Sequence, residues 1–254
     1  MPFYILTIIG LLAGLFIISL GGGGGAVYVG VLTGLCDIPP DIAASTSLAT
    51  VIPTAMMGAF SHYRAGNVHR HLALYLLAGC IPGAIVGSFF STLLPLWIYN
   101  KMTGIILLVL ALQMAWTCIR PPKHEVHSEA DLTKKDKLKA GGFGIIGGLL
   151  CGLVGLSGGG PITAGLFILG CTPLAAVGTS VFVICVMSVV GFLMHLSVGR
   201  VDWELVKYLL SGTLIGAFLG PWLMSKLDRN KVNRVLRPIV AVVNTIMSIM
   251  ILMK

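Results

Sequence analysis

The sequence predicts an all-α, polytopic integral membrane protein of about eight spans, and three observations carry that reading. Of its 254 residues, 56% are hydrophobic and only 10% are charged, whereas a soluble domain carries roughly 25% charged residues. Apolar stretches of about 20 residues, enough to cross a ~30 Å hydrocarbon core, recur along nearly the whole chain. The second half of the chain also repeats the first. No stretch is left over for a soluble domain.

The spans fall in order at 4–20, 43–61, 72–94, 96–118, 141–171, 174–197, 205–224 and 239–253. The first has no Lys or Arg before it and runs into glycines without a small-residue cleavage site, so it is expected in the mature protein and not as a signal peptide. The only long polar stretch, 119–140, reads as a solvated linker between a first transmembrane repeat (1–118) and a second (141–254). The net charge of +8 comes from basic residues in short loops and at span ends, where juxtamembrane anchors sit, which argues against nucleic acid as a partner. Cys36, Cys80, Cys118, Cys151, Cys171 and Cys185 show no C-x-x-C spacing and read as small packing residues, with no metal or other cofactor implied.

The repeat is visible residue by residue. "GGGAVYVGVLTGLC" (23–36) lies over "GGGPITAGLFILGC" (158–171) at a constant offset, pairing Gly25 with Gly160, Gly30 with Gly165 and Cys36 with Cys171. After a two-residue length difference, Thr46 and Ser47 match Thr179 and Ser180, and His62 matches His195. Gly79, Gly83 and Gly87 match Gly212, Gly216 and Gly220, and Asn100-Lys101 match Asn233-Arg234. Agreement of four separate blocks points to duplication.

The relative orientation of the halves depends on the glycine-rich segments. If each is one span, the halves are parallel and 11 Lys/Arg fall on one side against 6 on the other. If each glycine run divides two helical segments, the chain has up to ten, the second half inverts, and the count becomes 13 against 4. The positive-inside rule favours inversion. The segment after each glycine run is too short to span at 1.5 Å per residue, and so reads as a half-helix buried against protein or as part of a re-entrant hairpin paired with its partner. Inverted repeats with discontinuous helices are a recurrent architecture of secondary transporters.

These residues carry a family resemblance. "GGGGGAVYVGVL" and its copy "GLSGGGPITAGL", each followed by a Thr-Ser pair ("ASTS", "VGTS") and a G-x-x-x-H-x-x-x-G block, resemble the TauE/SafE family of sulfite exporters over nearly the whole chain. The resemblance implies a multi-pass transporter of the bacterial or archaeal inner (plasma) membrane that moves sulfite, sulfonates or related small organic anions.

The candidate site residues follow from elementary chemistry. A nucleotide loop would need G-x-x-x-x-G-K-[ST], yet no Lys or Arg occurs from Met1 to Tyr63. Consecutive glycines instead turn backbone N–H groups outward at a helix N-terminus, where the aligned dipoles amount to roughly half a positive charge. Gly22, Gly23, Gly24 and Gly25, with Ser157, Gly158, Gly159 and Gly160, are therefore expected to hold an anion, with close helix packing as the bland alternative. Ser45, Thr46, Ser47, Thr179 and Ser180 offer hydroxyl donors suited to sulfo oxygens, or else cap helices. His62 and His195 are candidates for proton coupling or gating, since no carboxylate sits deep within a confident span. Arg64 and Arg200 could attract anions at the mouth or serve only as topology anchors. The expected function is alternating-access transport of a small anion, with a passive anion channel as the rival. The chain shows no H-E-x-x-H, G-x-S-x-G or paired intramembrane carboxylates that would mark an enzyme. The partners expected are the anion and the bilayer, with a homo-oligomer left open.

Overall fold

The computed structural model describes residues 3–17, 24–119, 133–196, 201–226 and 229–253. These form helices and no strand: α1 (Phe3–Leu12), continued by a π-helical turn (Ala13–Ile17), α2 (Gly25–Gly34), α3 (Pro40–Arg64), α4 (Arg70–Leu93), α5 (Leu96–Ile119), α6 (Lys134–Val154), α7 (Gly159–Ile168), α8 (Pro173–His195), α9 (Trp203–Lys226) and α10 (Arg229–Leu252). By length and composition α3, α4, α6 and α8 can each cross a bilayer, and Tyr4–Leu15, Trp97–Gln113 and Ala241–Leu252 are shorter apolar helical stretches. Phe60, Phe89, Leu93, Trp97, Leu112 and Phe218 are each more than half exposed. Such an apolar exterior is stable in lipid and not in water. The chain is a polytopic α-helical membrane protein.

Both glycine-rich segments are broken. The stretch 141–171, expected as one span in the eight-span version, is two helices, because Gly155 and Gly158 adopt the left-handed conformation (φ 67° and 61°) between Val154 and Gly159. The ten-residue helices α2 and α7 that follow the breaks are about 15 Å long, half a bilayer. Helix α6 begins inside the stretch read as linker. Thr133 caps it reciprocally with Asp136, the Asp136 N–H donating to Thr133 Oγ1 (3.3 Å) and the Thr133 N–H to Asp136 Oδ2 (3.2 Å).

Contacts between repeat mates establish the inversion. Near the start of α8, Thr179 accepts a hydrogen bond from the His69 N–H just past the end of α3 (2.8 Å). Near the start of α3, Thr46 accepts one from the Asp202 N–H just past the end of α8 (3.1 Å). The mates α3 and α8 therefore run antiparallel, as only inverted repeats allow. Helix α4 instead runs parallel to α6, with Gly79, Gly83 and Gly87 facing Gly141, Ile145 and Leu149 in succession. Its mate α9 runs parallel to α1 in the same way, with Gly212 and Gly216 facing Thr7 and Leu11. A Cβ added at Gly83 or Gly87 would lie 2.6 Å from a carbonyl oxygen of α6, so these are backbone-to-backbone contacts that only small residues permit.

Following the chain with these directions assigns every turn to one of two faces. The first holds the start of α1 and the α2–α3, α4–α5 and α8–α9 turns. The second holds the α3–α4, α7–α8 and α9–α10 turns and the start of α6. Among the residues whose side chains are described, Lys101 and Lys207 stand toward the first face, while Arg64, Arg70 and the four lysines opening α6 stand toward the second. The sequence-level charge asymmetry is thus built on the inverted arrangement.

Candidate functional site

Glycine begins both half-helices for a steric reason. Gly24 (φ 78°) is the N-cap of α2 and Gly158 that of α7, and a residue with a Cβ pays about 1–2 kcal/mol in this left-handed conformation. A glycine cap has no side chain to bond the first-turn N–H groups, which therefore point beyond the helix end. In α2, Val27 and Tyr28 donate back to the Gly24 carbonyl (both 3.0 Å), leaving Gly25 and Ala26 as the outward donors. In α7, Ile162 donates to the Gly158 carbonyl (3.4 Å) and Pro161 has no N–H, so Gly159 and Gly160 are the outward donors. Gly22 and Gly23 lie outside the described residues.

The two breaks meet. A Cβ built on Gly25 would lie 2.6 Å from the backbone nitrogen of Ser157 and 3.0 Å from its Oγ. The first residue of α2 thus packs against the residue two positions ahead of α7, and from that junction α2 runs to the first face and α7 to the second. Two helix N-termini, each equivalent to roughly +0.5 charge, share one region of the interior. No Lys or Arg occurs from Ala140 to Gly199 or from Met1 to Tyr63, so neither break carries a cationic side chain on its own segment.

The serines of both Thr-Ser pairs stand at these helix starts. Ser47 Oγ donates to the Gly25 carbonyl (3.3 Å). In the other repeat, Ser180 Oγ pairs with Thr163 Oγ1 (2.9 Å), which donates to the Gly159 carbonyl (2.7 Å). Ser157 is buried at the junction itself. Tyr28, the repeat mate of Thr163, bonds Thr213 instead (2.9 Å), tying α2 to α9. The threonines do different work: Thr46 and Thr179 each accept the backbone N–H of the residue just ahead of a helix of the opposite repeat, Asp202 before α9 and His69 before α4. Ser45 donates to the Asp41 carbonyl of its own helix (2.9 Å) and stays buried.

The two histidines are not brought together. His62 lies in the last turn of α3 toward the second face, half-buried, and His195 in the last turn of α8 toward the first face, 1% exposed. The carbonyls of Cys151 and Gly152 face the His195 ring without reaching hydrogen-bonding geometry. Arg64 extends its guanidinium over the Phe60 ring, 5.5 Å from the centroid, as an interfacial anchor does. Arg200 lies outside the described residues.

Sequence reasoning missed Gln113. This α5 residue brings its Oε1 to 3.9 Å from the position a Cβ on Gly160 would take, beside Leu110 at 3.2 Å. The available signal was an amide deep within an apolar span.

The model of the sulfite exporter TauE/SafE family matches residues 6–251. A probable membrane transporter protein of Bacillus subtilis, YdhB, is 31% identical over 211 residues, covering 82% of this chain and 85% of its own. A second from the same organism, YunE, is 27% identical over 256 residues and covers 93% and 94%. A probable membrane transporter protein of Methanocaldococcus jannaschii is 30% identical over 204 residues, covering 76% and 72%. No solved structure matches. The glycine breaks, the duplicated Thr-Ser pairs and these matches agree, and the chain belongs to the sulfite exporter TauE/SafE family of membrane transporters.

Proposed function

We propose that this transporter moves small anions, sulfite, sulfonates or related organic anions, by alternating access around the junction of α2 and α7. The observation that carries the reading is the meeting of two helix N-termini, Gly25 against Ser157, on two segments that carry no Lys or Arg from Met1 to Tyr63 or from Ala140 to Gly199. Outward N–H groups of Gly25, Ala26, Gly159 and Gly160 can hold oxyanion oxygens, and the hydroxyls of Ser47, Ser157, Thr163 and Ser180 stand close by to complete the shell. An oxyanion bound this way loses no buried cation when it leaves, which suits a site that must release its cargo. By the positive-inside rule the second face is cytoplasmic, so α7 opens toward the cytoplasm and α2 toward the outside of a plasma or inner membrane. His195 is a candidate proton carrier on the outer side. The mates α3 and α8 lock each other's neighbours through Thr46 and Thr179, so the repeats can rock as linked bodies.

The test is counterflow of radiolabelled sulfite into proteoliposomes preloaded with unlabelled sulfite, an alkylsulfonate or a small carboxylate. Saturable counterflow supports the transporter. Unitary currents in place of counterflow would make the protein a channel, and no flux of any of these anions would end the anion reading.

A further inference from the structure

Around the end of α6, the bundle buries polar groups that its own hydrogen bonds do not use. His195, in the last turn of α8, is 1% exposed, and neither ring nitrogen has a hydrogen-bond partner. Asp41, in the first turn of α3, keeps Oδ1 buried and equally unbonded. Both residues stand against the last turn of α6. Gly191, one turn before His195, would place a Cβ 2.7 Å from Cys151 Sγ, and Ala44, one turn after Asp41, packs on Gly155; residues three or four apart share a helix face. Tyr99 of α5 joins them, packed with Val154 and Leu156 at the same helix end and with its hydroxyl buried and unbonded. Asp41 is close enough to act electrostatically on both His195 and Tyr99.

The groups facing His195 are acceptors: the carbonyls of Cys151 and Gly152 and the carboxylate of Asp41. A neutral imidazole offers them one N–H, whereas the imidazolium offers two. Either charge alone is costly inside the bundle, but an imidazolium beside an ionised Asp41 forms a pair with no net charge, and the C-terminal end of α6 favours the cation. Among the described residues, no other charge competes at the ring. Helix α7 has no titratable side chain, Arg70, His71, Tyr75 and Cys80 fall in the half of α4 toward the second face, and His62, Tyr63 and Arg64 end α3 there. Lysines and Asp136 of α6 lie in its first turns, Cys151 Sγ is turned to the Met187 carbonyl (3.8 Å), and Asp202 accepts the N–H groups of Glu204 and Leu205 as it opens α9. Pro40 matches Pro173, which makes Leu174 the repeat mate of Asp41. The histidine is duplicated and its carboxylate is not, so the pair occurs once in the chain.

We propose that His195 and Asp41 form a proton-binding site, reached from the outer face, whose occupancy favours the anion at the α2–α7 junction, so that proton and anion travel together. What is coupled rests on the anion reading above; the proton site rests on the burial and packing of these side chains. Asp41 is half-buried and follows the exposed Asp37 in the turn that opens α3, which gives the proton a way in. The carbonyls facing His195 precede Ser157 by six and five residues, on the helix that leads into the junction. A positive charge gained there strengthens anion binding, and by linkage a bound anion strengthens proton binding by the same factor.

Two measurements on the full-length protein test this. Methanesulfonate keeps its charge across the neutral range, so any pH dependence of its binding belongs to the protein. Its affinity for the wild type is expected to tighten as pH falls, by up to about tenfold per pH unit while one proton site titrates, and Asp41→Asn and His195→Gln are each expected to leave an affinity that no longer changes with pH. The second measurement is a pH titration of the ¹⁵N-histidine protein by NMR. One ring signal should be missing from His195→Gln, and in Asp41→Asn the same ring should hold its proton less tightly. A wild-type affinity independent of pH, or one equally steep in both variants, would overturn the coupling. A His195 ring whose titration ignores Asp41→Asn would overturn the pair. Absence of methanesulfonate binding to the wild type would end the coupling as drawn for sulfonates and leave the proton site to the NMR titration, so the cargo and the proton site fail separately.

Discussion

Gly25 and Gly160 occupy matching positions in the two repeats, yet the structure gives them opposite tolerances for a single methyl group. Both are first-turn residues of ten-residue helices, so the helix-propensity gain of Gly→Ala, about 1 kcal/mol at most, largely cancels between them. Neither needs a left-handed φ. What differs is the space. An alanine Cβ at Gly25 meets the Ser157 backbone nitrogen at 2.6 Å, with Ser157 Oγ and Cβ at 3.0 and 3.1 Å. One at Gly160 meets the mobile end of Leu110 at 3.2 Å, which a small rotation relieves. Overpacking against fixed atoms costs about 1–3 kcal/mol, so Gly25→Ala is expected to be less stable than Gly160→Ala by ~1–3 kcal/mol. Equilibrium unfolding of both variants in mixed detergent–SDS micelles measures the difference. Adding Ser157→Gly to Gly25→Ala removes two of the three close atoms and should recover part of the loss. Equal stability of the two alanine variants, or a more stable Gly25→Ala, would refute the claim that the breaks are packed against each other.

Three further outcomes follow from the same contacts. Thr46→Val and Thr179→Val each strand a backbone N–H, at Asp202 and His69, and should each cost about 1–3 kcal/mol in the same unfolding assay; the pseudo-symmetry requires similar losses, with the intact protein's cysteine-labelling pattern as a check on fold. Tyr28→Phe removes the 2.9 Å bond to Thr213 while Thr213 keeps its bond to the Leu209 carbonyl (2.6 Å), so the expected loss is about 0.5–1.5 kcal/mol. An alkaline phosphatase reporter fused after Lys254 should be active and one inserted after Lys123 inactive, because inversion puts the C-terminus and the linker on opposite sides; matching activity at both sites would restore the parallel arrangement.

Much of this architecture is legible in the sequence because glycine has few uses. The offset between Gly25 and Gly160 marks both breaks, and the shift from 11 against 6 to 13 against 4 basic residues already favours the inverted topology. What the residues do not announce is any contact that crosses the repeats. Thr46 and Thr179 match visibly, but their partners, the backbone N–H groups of Asp202 and His69, share no side-chain chemistry, so these bonds to the opposite repeat cannot be read from residue types. The serines are the reverse case: Ser47 and Ser180 carry the same hydroxyl chemistry as the threonines, and only packing separates each pair into one residue at the break and one bonded to the opposite repeat. The start of α6 was readable in principle, since Thr133-x-x-Asp136 has capping-box spacing, but the surrounding charges suggested a solvated linker. Gln113 gave a single polar signal, and only the approach of α5 to Gly160 gives it a place.

The central claim is that backbone donors, not cationic side chains, hold the anion, and the second repeat supplies the means to test it. Pro161 of α7 stands where α2 has Ala26, and a first-turn proline leaves a helix intact while deleting one N–H. Ala26→Pro therefore removes a single outward donor from the junction with its neighbours in place. A hydrogen bond to a charged group contributes about 1.5–3 kcal/mol, so sulfite binding to the purified protein, measured by equilibrium titration, is expected to weaken by roughly ten- to a hundredfold with the unfolding transition unchanged. Sulfite affinity identical in wild type and Ala26→Pro would contradict an anion held by the converging helix ends.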